Sequence, residues 1–169
     1  MPHFLPTPLA RRLLQFWGRL PPRIWKHRLE WSYTPKFMID VVGVVLNTRN
    51  EVLLVDHTYK QPYSWGLPGG GVEYGERLED GLARELREEA GAEVKIERLL
   101  AARGDVDRRL VKLFYLCRAQ RQQFAPSAEI RGYGFFAAEA LPAGTDPLAV
   151  AIIWSVARPG REPRRQRGK

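Results

Sequence analysis

Between Gly69 and Ala92 the chain reads GGGVEYGERLEDGLARELREEAGA, and this stretch limits the fold more than any other. Three consecutive glycines permit backbone conformations and close approaches that side chains forbid. Behind them comes one strong helical pattern. With a helical repeat of about 3.6 residues, Leu78, Leu82, Leu86 and Ala90 form a single apolar stripe. Such a stripe needs a surface to bury against, and the flanking segments supply strands. FMIDVVGVVLN and EVLLVD are β-branched runs joined by Thr48-Arg49-Asn50, which predicts a hairpin. VKIERLLAA, RLVKLFYLCRA and GYGFF predict three more strands. Asp146-Pro147 opens LAVAIIWSVAR and Gly160 follows it, a pattern that suits a second helix, although the β-branched content leaves a strand open. No internal repeat is visible. Strands alternating with two helices predict a mixed α/β fold.

The helix carries an unusual charge pattern. Glu85, Glu88 and Glu89 stand at i, i+3 and i+4, so their side chains converge on one face. Like charges at that spacing destabilise an isolated helix. Arg84 and Arg87 are read as pointing to other sides. A solvated acidic face is the plain alternative, but it would intersperse basic residues and would not need glycines in front. A hard divalent cation, Mg²⁺ or Mn²⁺, would neutralise three carboxylates. Gly69-Gly70-Gly71, read as a turn, would let the backbone approach the same ion and a phosphate.

The chain's own charge is concentrated elsewhere. Of the net +8 over 169 residues, residues 1–36 hold seven Lys/Arg against one acid, and residues 158–169 six against one, which leaves 37–157 at −3. The basic character therefore belongs to the ends. These counts divide the chain into a basic aromatic N-terminal extension (1–36), a central domain (37–157) and a basic disordered tail (158–169). The extension predicts two short helices, with Leu13, Phe16, Trp17, Leu20, Ile24 and Trp25 apolar. Packing on its own domain or on a second subunit in a homodimer is the favoured reading. Contact with an anionic membrane or with nucleic acid through the basic ends is the minor one. No apolar run reaches the roughly 18 residues of a membrane-spanning helix. A single cysteine, Cys117, excludes an internal disulfide and suits a buried thiol in a reducing, cytoplasmic setting.

Gly70, five residues, Glu76, seven residues and then Arg84-Glu85-Leu86-Arg87-Glu88-Glu89-Ala90-Gly91-Ala92 resembles the Nudix box. All its specified polar and glycine positions match over 23 residues, and WGLPGG, VVLNTRNEVLLV and FFAAEALP around it strengthen the likeness. The resemblance covers about 37–157. It implies an α/β/α sandwich around a mixed sheet, with the box as loop–helix–loop. It also implies hydrolysis of a nucleoside diphosphate linked to another moiety X, with water attacking phosphorus and divalent metal neutralising the developing charge. By position, Glu85 and Glu89 would be the chief metal ligands, Glu88 a ligand to a further ion, and the Gly69 carbonyl would complete the set. Glu76 and Arg84 would pair to hold the loop. Glu129 would be a ligand or base outside the box, with an ordinary loop acid as the alternative.

The sequence departs from the family's pattern at three places, and Gly81 adds a helix-interior glycine. Gly71 stands where many members carry Lys. Arg77 replaces a helix-capping Ser or Thr, at a cost of about 1 kcal/mol. Ala92 is small for the closing aliphatic position. Gly81 costs the helix roughly another 1 kcal/mol. None removes a ligand. In the segment HTYKQPYSW, Lys60, Tyr63 and Trp65 are weak candidates for contact with a nucleotide-type substrate. Trp65 reads first as core packing and His57 as a hydrogen-bonding loop residue. Asp105 and Asp107 read as a hairpin turn. Two alternatives to a small-molecule hydrolase remain: an RNA 5′-end pyrophosphohydrolase, and a non-catalytic module that senses a nucleotide.

Overall fold

The computed structural model describes residues 35–122 and 129–157, together with positions 8, 11, 12 and 15. The chain divides into two units, Met1–Lys36 and Phe37–Lys169. In the first, positions 8, 11, 12 and 15 are helical, while 35 and 36 belong to no helix or strand. The rest of the expected N-terminal helices, and the expected tail 158–169, lie outside the described residues.

In the second unit the described elements are β1 (Met38–Leu46), β2 (Val52–His57), β3 (Trp65–Gly66), β4 (Gly69–Gly71), α1 (Leu78–Ala90), β5 (Ala92–Asp105), β6 (Leu110–Gln122), β7 (Ile130–Phe136) and α2 (Pro147–Ala157). The strands form one mixed sheet in the order β3-β2-β1-β6-β5, with β4 paired to β1 and β7 to β2. The central contact is parallel: β1 runs beside β6 from Met38↔Leu110 to Leu46↔Arg118. The expected hairpin is present at Leu46↔Val52, closed by Asn50, whose φ of 57° is a left-handed conformation that Asn tolerates.

Two-residue alternation divides the core into two layers. Val41, Val45, Leu53 and Val55 face α1, where Leu82, Leu86 and Ala90 are fully buried. Val42, Val44, Leu46, Val52 and Leu54 face α2 and meet Ala149, Ile152 and Ile153. The result is an α/β/α sandwich. Each fully buried Leu or Val contributes roughly 1.5–3 kcal/mol. α1 packs close over Gly43 on β1, where a Cβ would lie 3.0 Å from the Leu86 side chain.

The helix ends follow from local chemistry. α1 stops at Gly91, whose φ of 56° is left-handed and whose N–H donates to the Arg87 and Leu86 carbonyls. At its start Arg77 makes no side-chain cap, as the sequence suggests. The segment after Asp146 is a helix and not a strand: Asp146 Oδ1 accepts from the Leu148 and Ala149 N–H groups at 2.7 and 3.2 Å. Asp105 and Asp107 lie at the β5–β6 turn, where Asp105 Oδ1 accepts from the Arg108 N–H.

Candidate active site

The three glycines form a strand, not a turn. Gly69, Gly70 and Gly71 pair antiparallel with Val42, Val41 and Asp40 of β1. Gly69 has φ of 145°, and a Cβ there would overlap the Val41 carbonyl oxygen. A Cβ on Gly70 would lie 2.5 Å from Glu85 Oε2. β4 is therefore a wall without side chains, and the carboxylates of α1 lie directly against it. Glu85 rests on Gly70, while Glu89 Oε2 accepts from the Gly69 N–H at 2.8 Å. Two residues four apart on α1 are thus registered on two successive residues of β4.

Arg84 corrects the sequence reading. Its side chain does not point away from the acids but binds them together. Nη1 donates to Glu85 Oε1 at 2.7 Å and to Glu88 Oε2 at 3.3 Å. Nε and Nη2 donate to Glu76 Oε1 and Oε2, both at 3.1 Å, and Nη2 also reaches the Gly71 carbonyl at 2.9 Å. The fork geometry of guanidinium makes this set of partners attainable. Hydrogen bonds from Arg84 and from the Glu73 N–H hold the Glu76 carboxyl below its usual range. Gly81 gains a reason here, because a Cβ there would lie 2.8 Å from Glu76 Oε2.

Glu89 is the buried acid of the cluster, and Glu88 its exposed one, with 62% of its side chain accessible. Burial pushes the Glu89 carboxyl up to about 7, against the opposing Gly69 N–H; Lys60 also lowers it, while Glu85 and Glu129 raise it. That influence puts Glu129 within electrostatic reach of Glu89. Glu129 is exposed just ahead of β7, and its carbonyl accepts from the Thr58 N–H at 2.8 Å. The oxygen-only set of Glu85, Glu88, Glu89 and Glu129 suits a hard divalent cation. Among the described residues no three acids or histidines close around one point. Arg84 supplies positive charge to Glu85 and Glu88, and Glu89 Oε2 is committed to Gly69.

Beneath Glu89 lies His57, at the end of β2 and completely buried, so it is not the loop residue expected. Lys60 Nζ sits 2.8 Å from its Nε2. Burial first, and Lys60 next, lower the His57 pKa to about 4.

On the other side of β4 is a cavity of about 280 Å³, with Gly69, Gly70 and Gly71 as one wall. All three weak substrate candidates, Lys60, Tyr63 and Trp65, line it. Trp65 also packs edge-on against Phe136, with ring centroids 5.4 Å apart. The sequence reading missed Asp40, Lys112 and Asp146 in this cavity. Asp40 and Lys112 are neighbours in the parallel β1–β6 register, with carboxylate and ammonium 4.0 Å apart. The available signal was Asp40 itself, a lone charge within an apolar strand. Asp105 and Asp107 are absent from the cavity's lining. No described helix is long and apolar enough to cross a membrane.

Residues 36–154 match a family model described as the NUDIX domain. A MutT-like protein of Streptomyces ambofaciens is 32% identical over 89 residues, 53% of this chain and 56% of that protein. An RNA pyrophosphohydrolase of Blochmanniella pennsylvanica is 39% identical over 61 residues, 36% of this chain and 39% of that one. The chain thus spans about half or less of these curated relatives. A crystal structure of an ADP-ribose pyrophosphatase from Streptococcus suis superposes with a TM-score of 0.60 at 27% identity, covering 77% of this chain and 97% of that one.

Proposed function

The chain belongs to the Nudix hydrolase family, and from that premise we propose that it hydrolyses a pyrophosphate bond in a nucleoside diphosphate linked to another moiety, X. The family uses divalent cations. The observation that carries the reading is the placement of β4, with the α1 carboxylates on one side and an aromatic- and lysine-lined cavity on the other. A nucleotide seated in the cavity passes its phosphates along a backbone with no side chains, up to the acids.

The residues that would hold a divalent cation are Glu85, Glu88, Glu89 and the Gly69 carbonyl, with Glu129 beside them. Mg²⁺ or Mn²⁺ bound there supplies neutralisation of phosphate charge and activation of water. The chain's own groups do the rest. Arg84 and Glu76 fix the segment between β4 and α1, so the carboxylates keep their spacing. Lys60 and Lys112 place cations in the cavity for phosphate or sugar oxygens, and Tyr59, Tyr63 and Trp65 offer aromatic faces to a base. The attacking water gives its proton to a carboxylate oxygen, for which Glu129 is our choice, because it is exposed and, unlike Glu76, Glu85 and Glu88, is not a hydrogen-bond partner of Arg84. Cys117 is a buried thiol whose pKa burial pushes up to about 12, so it takes no part in the chemistry.

The test is a panel of nucleoside triphosphates, nucleotide sugars, ADP-ribose, CDP-alcohols and capped or triphosphorylated RNA, with Mg²⁺ or Mn²⁺ and products identified by mass. Cleavage between the phosphates, abolished by excess chelator, is expected. Undiminished turnover in chelator would sink the mechanism, and ligand binding without turnover would favour the sensing module. The RNA reading has one specific support, the similarity to an RNA pyrophosphohydrolase together with the basic ends. Steep salt dependence of RNA turnover, lost on trimming both ends, would establish it.

A further inference from the structure

His57 Nδ1 is the one fully buried side-chain nitrogen or oxygen, among the described residues, that has no hydrogen-bond partner. An unsatisfied buried donor is rare enough to need a reason. Its surroundings supply one. Lys60 Nζ lies 2.8 Å from Nε2. An ammonium has only donors, so Nε2 must accept, and a neutral ring then carries its proton on Nδ1. The Nδ1–H faces Glu89 Oε1 across 3.9 Å. The other oxygen of the same carboxylate is held by the Gly69 N–H at 2.8 Å.

We propose that His57 is a positioning residue for Glu89, locked by Lys60 in the Nδ1–H tautomer so that its proton and the Gly69 N–H hold the two carboxylate oxygens in one orientation. This rests on the reading of Glu89 as a metal ligand. The separation of 3.9 Å exceeds a hydrogen bond of about 2.9 Å by roughly one ångström, a rotation of the Glu89 carboxylate about its Gly69 contact. Outer hydrogen bonds of this kind fix the orientation of a ligating group and strengthen metal binding. The arrangement also gives Lys60 two roles. It lines the cavity, and it reaches the acidic face through the His57 ring.

The experiment uses the full chain. Long-range ¹H–¹⁵N correlation spectra of the metal-free protein report the tautomer of each histidine; there are three in the chain, and His57→Gln assigns the signal. Mn²⁺ affinity is read from the free-ion paramagnetic signal, and folding from thermal melts. The wild type is expected to show His57 as Nδ1–H, and Lys60→Met to lose that preference. His57→Gln and Lys60→Met should each weaken Mn²⁺ binding about tenfold. The double variant should be no weaker than His57→Gln alone, since both act along one path. If His57→Gln does not fold, Lys60→Met carries the test. An Nε2–H tautomer in the wild type overturns the proposal. So does Mn²⁺ affinity within about twofold of wild type in a folded Lys60→Met. A wild-type chain that binds no Mn²⁺ overturns the metal reading as well, whereas binding that ignores both substitutions overturns the positioning alone.

Discussion

Arg84 and Glu76, eight residues apart, are joined by two parallel hydrogen bonds: Nε to Oε1 and Nη2 to Oε2, both at 3.1 Å. The same guanidinium ties the Gly71 carbonyl to Glu85. One side chain therefore fixes the segment after β4, the start of α1 and one carboxylate of the site. A lysine keeps the charge but cannot span these partners. Arg84→Lys should lower kcat/KM about 100-fold through misplacement of the acids, and stability by about 1–2 kcal/mol. Steady-state kinetics and a denaturant melt check both. Unchanged kinetics would reduce Arg84 to a surface ion pair.

The three glycines should respond differently to one added methyl group. At Gly71 a Cβ meets nothing within 4 Å, so Gly71→Ala should keep the wild-type stability. At Gly70 it would stand 2.5 Å from Glu85 Oε2, the end of a movable side chain, so Gly70→Ala should fold but lose activity about tenfold or more as that carboxylate shifts. At Gly69 it would meet the β1 backbone at a positive φ, which should destabilise the domain by more than about 3 kcal/mol. Melting temperatures and kinetics of the three alanine variants give the order, and an equal loss in all three would refute the wall.

These outcomes mark where sequence reading succeeds. Both ends of α1 were legible, because the leucine stripe runs up to a glycine whose left-handed φ ends the helix. β1, β2, β5, β6 and β7 were legible from their apolar runs. β3 and β4 were not: Trp65 was read as part of a loop, glycines carry no period, and both pairings are made by two or three residues only. The resemblance implied the Arg84 pair with Glu76, but its contacts with Glu85 and Glu88 were missed, because helical geometry gives the direction of Cβ, while a long guanidinium side chain can bend back over its neighbours. Asp40 and Lys112 were missed because they meet through a parallel register about 70 residues apart. His57 was taken as a loop residue because β2 extends one residue further than the apolar run suggests.

Glu89 and His57 make opposite demands on pH. The Glu89 carboxyl is raised from 4.5 to about 7, so the native state holds a proton that the unfolded chain loses, and stability falls as pH rises across that window. His57 is lowered from 6.5 to about 4, so the unfolded chain takes up a proton first, and stability falls as pH drops through that window. In metal-free wild type the two slopes largely cancel. Glu89→Gln should unmask the His57 slope, with stability rising relative to wild type from about pH 4.5 to 7, by an amount of order 3 kcal/mol. His57→Gln should do the reverse between about pH 4 and 6.5. Urea melts of both variants across this range test the signs. Parallel pH curves for variants and wild type would contradict the assignment.

Glu88→Gln should separate chemistry from scaffold. Its side chain is 62% exposed and makes an i, i+4 pair with Arg84 at 3.3 Å. Losing that pair costs about 0.3–0.5 kcal/mol, while relief of repulsion from Glu85 and Glu89 returns a similar amount. The melting temperature should hardly move. Turnover should fall by orders of magnitude if the carboxylate meets an ion at the phosphates. A variant with native kinetics would make Glu88 an ordinary solvated acid.

Glu129 gives the sharpest test outside the helix. Its backbone is anchored independently of its carboxylate, because the carbonyl accepts from both the N–H and the hydroxyl of Thr58, at 2.8 and 3.2 Å. Glu129→Gln should therefore leave the melting temperature unchanged. The charge is nevertheless felt across the site: burial raises the pKa of both Tyr59 and Glu89, and Glu129 adds to each. As proton acceptor for the attacking water, Glu129 should contribute about 100-fold or more to turnover. The variant would then stay slow at saturating Mn²⁺ while Mn²⁺ affinity stays at the wild-type level. As a metal ligand, it would instead need more Mn²⁺ for the same rate. Wild-type kinetics at every pH and metal concentration would return Glu129 to a plain loop acid.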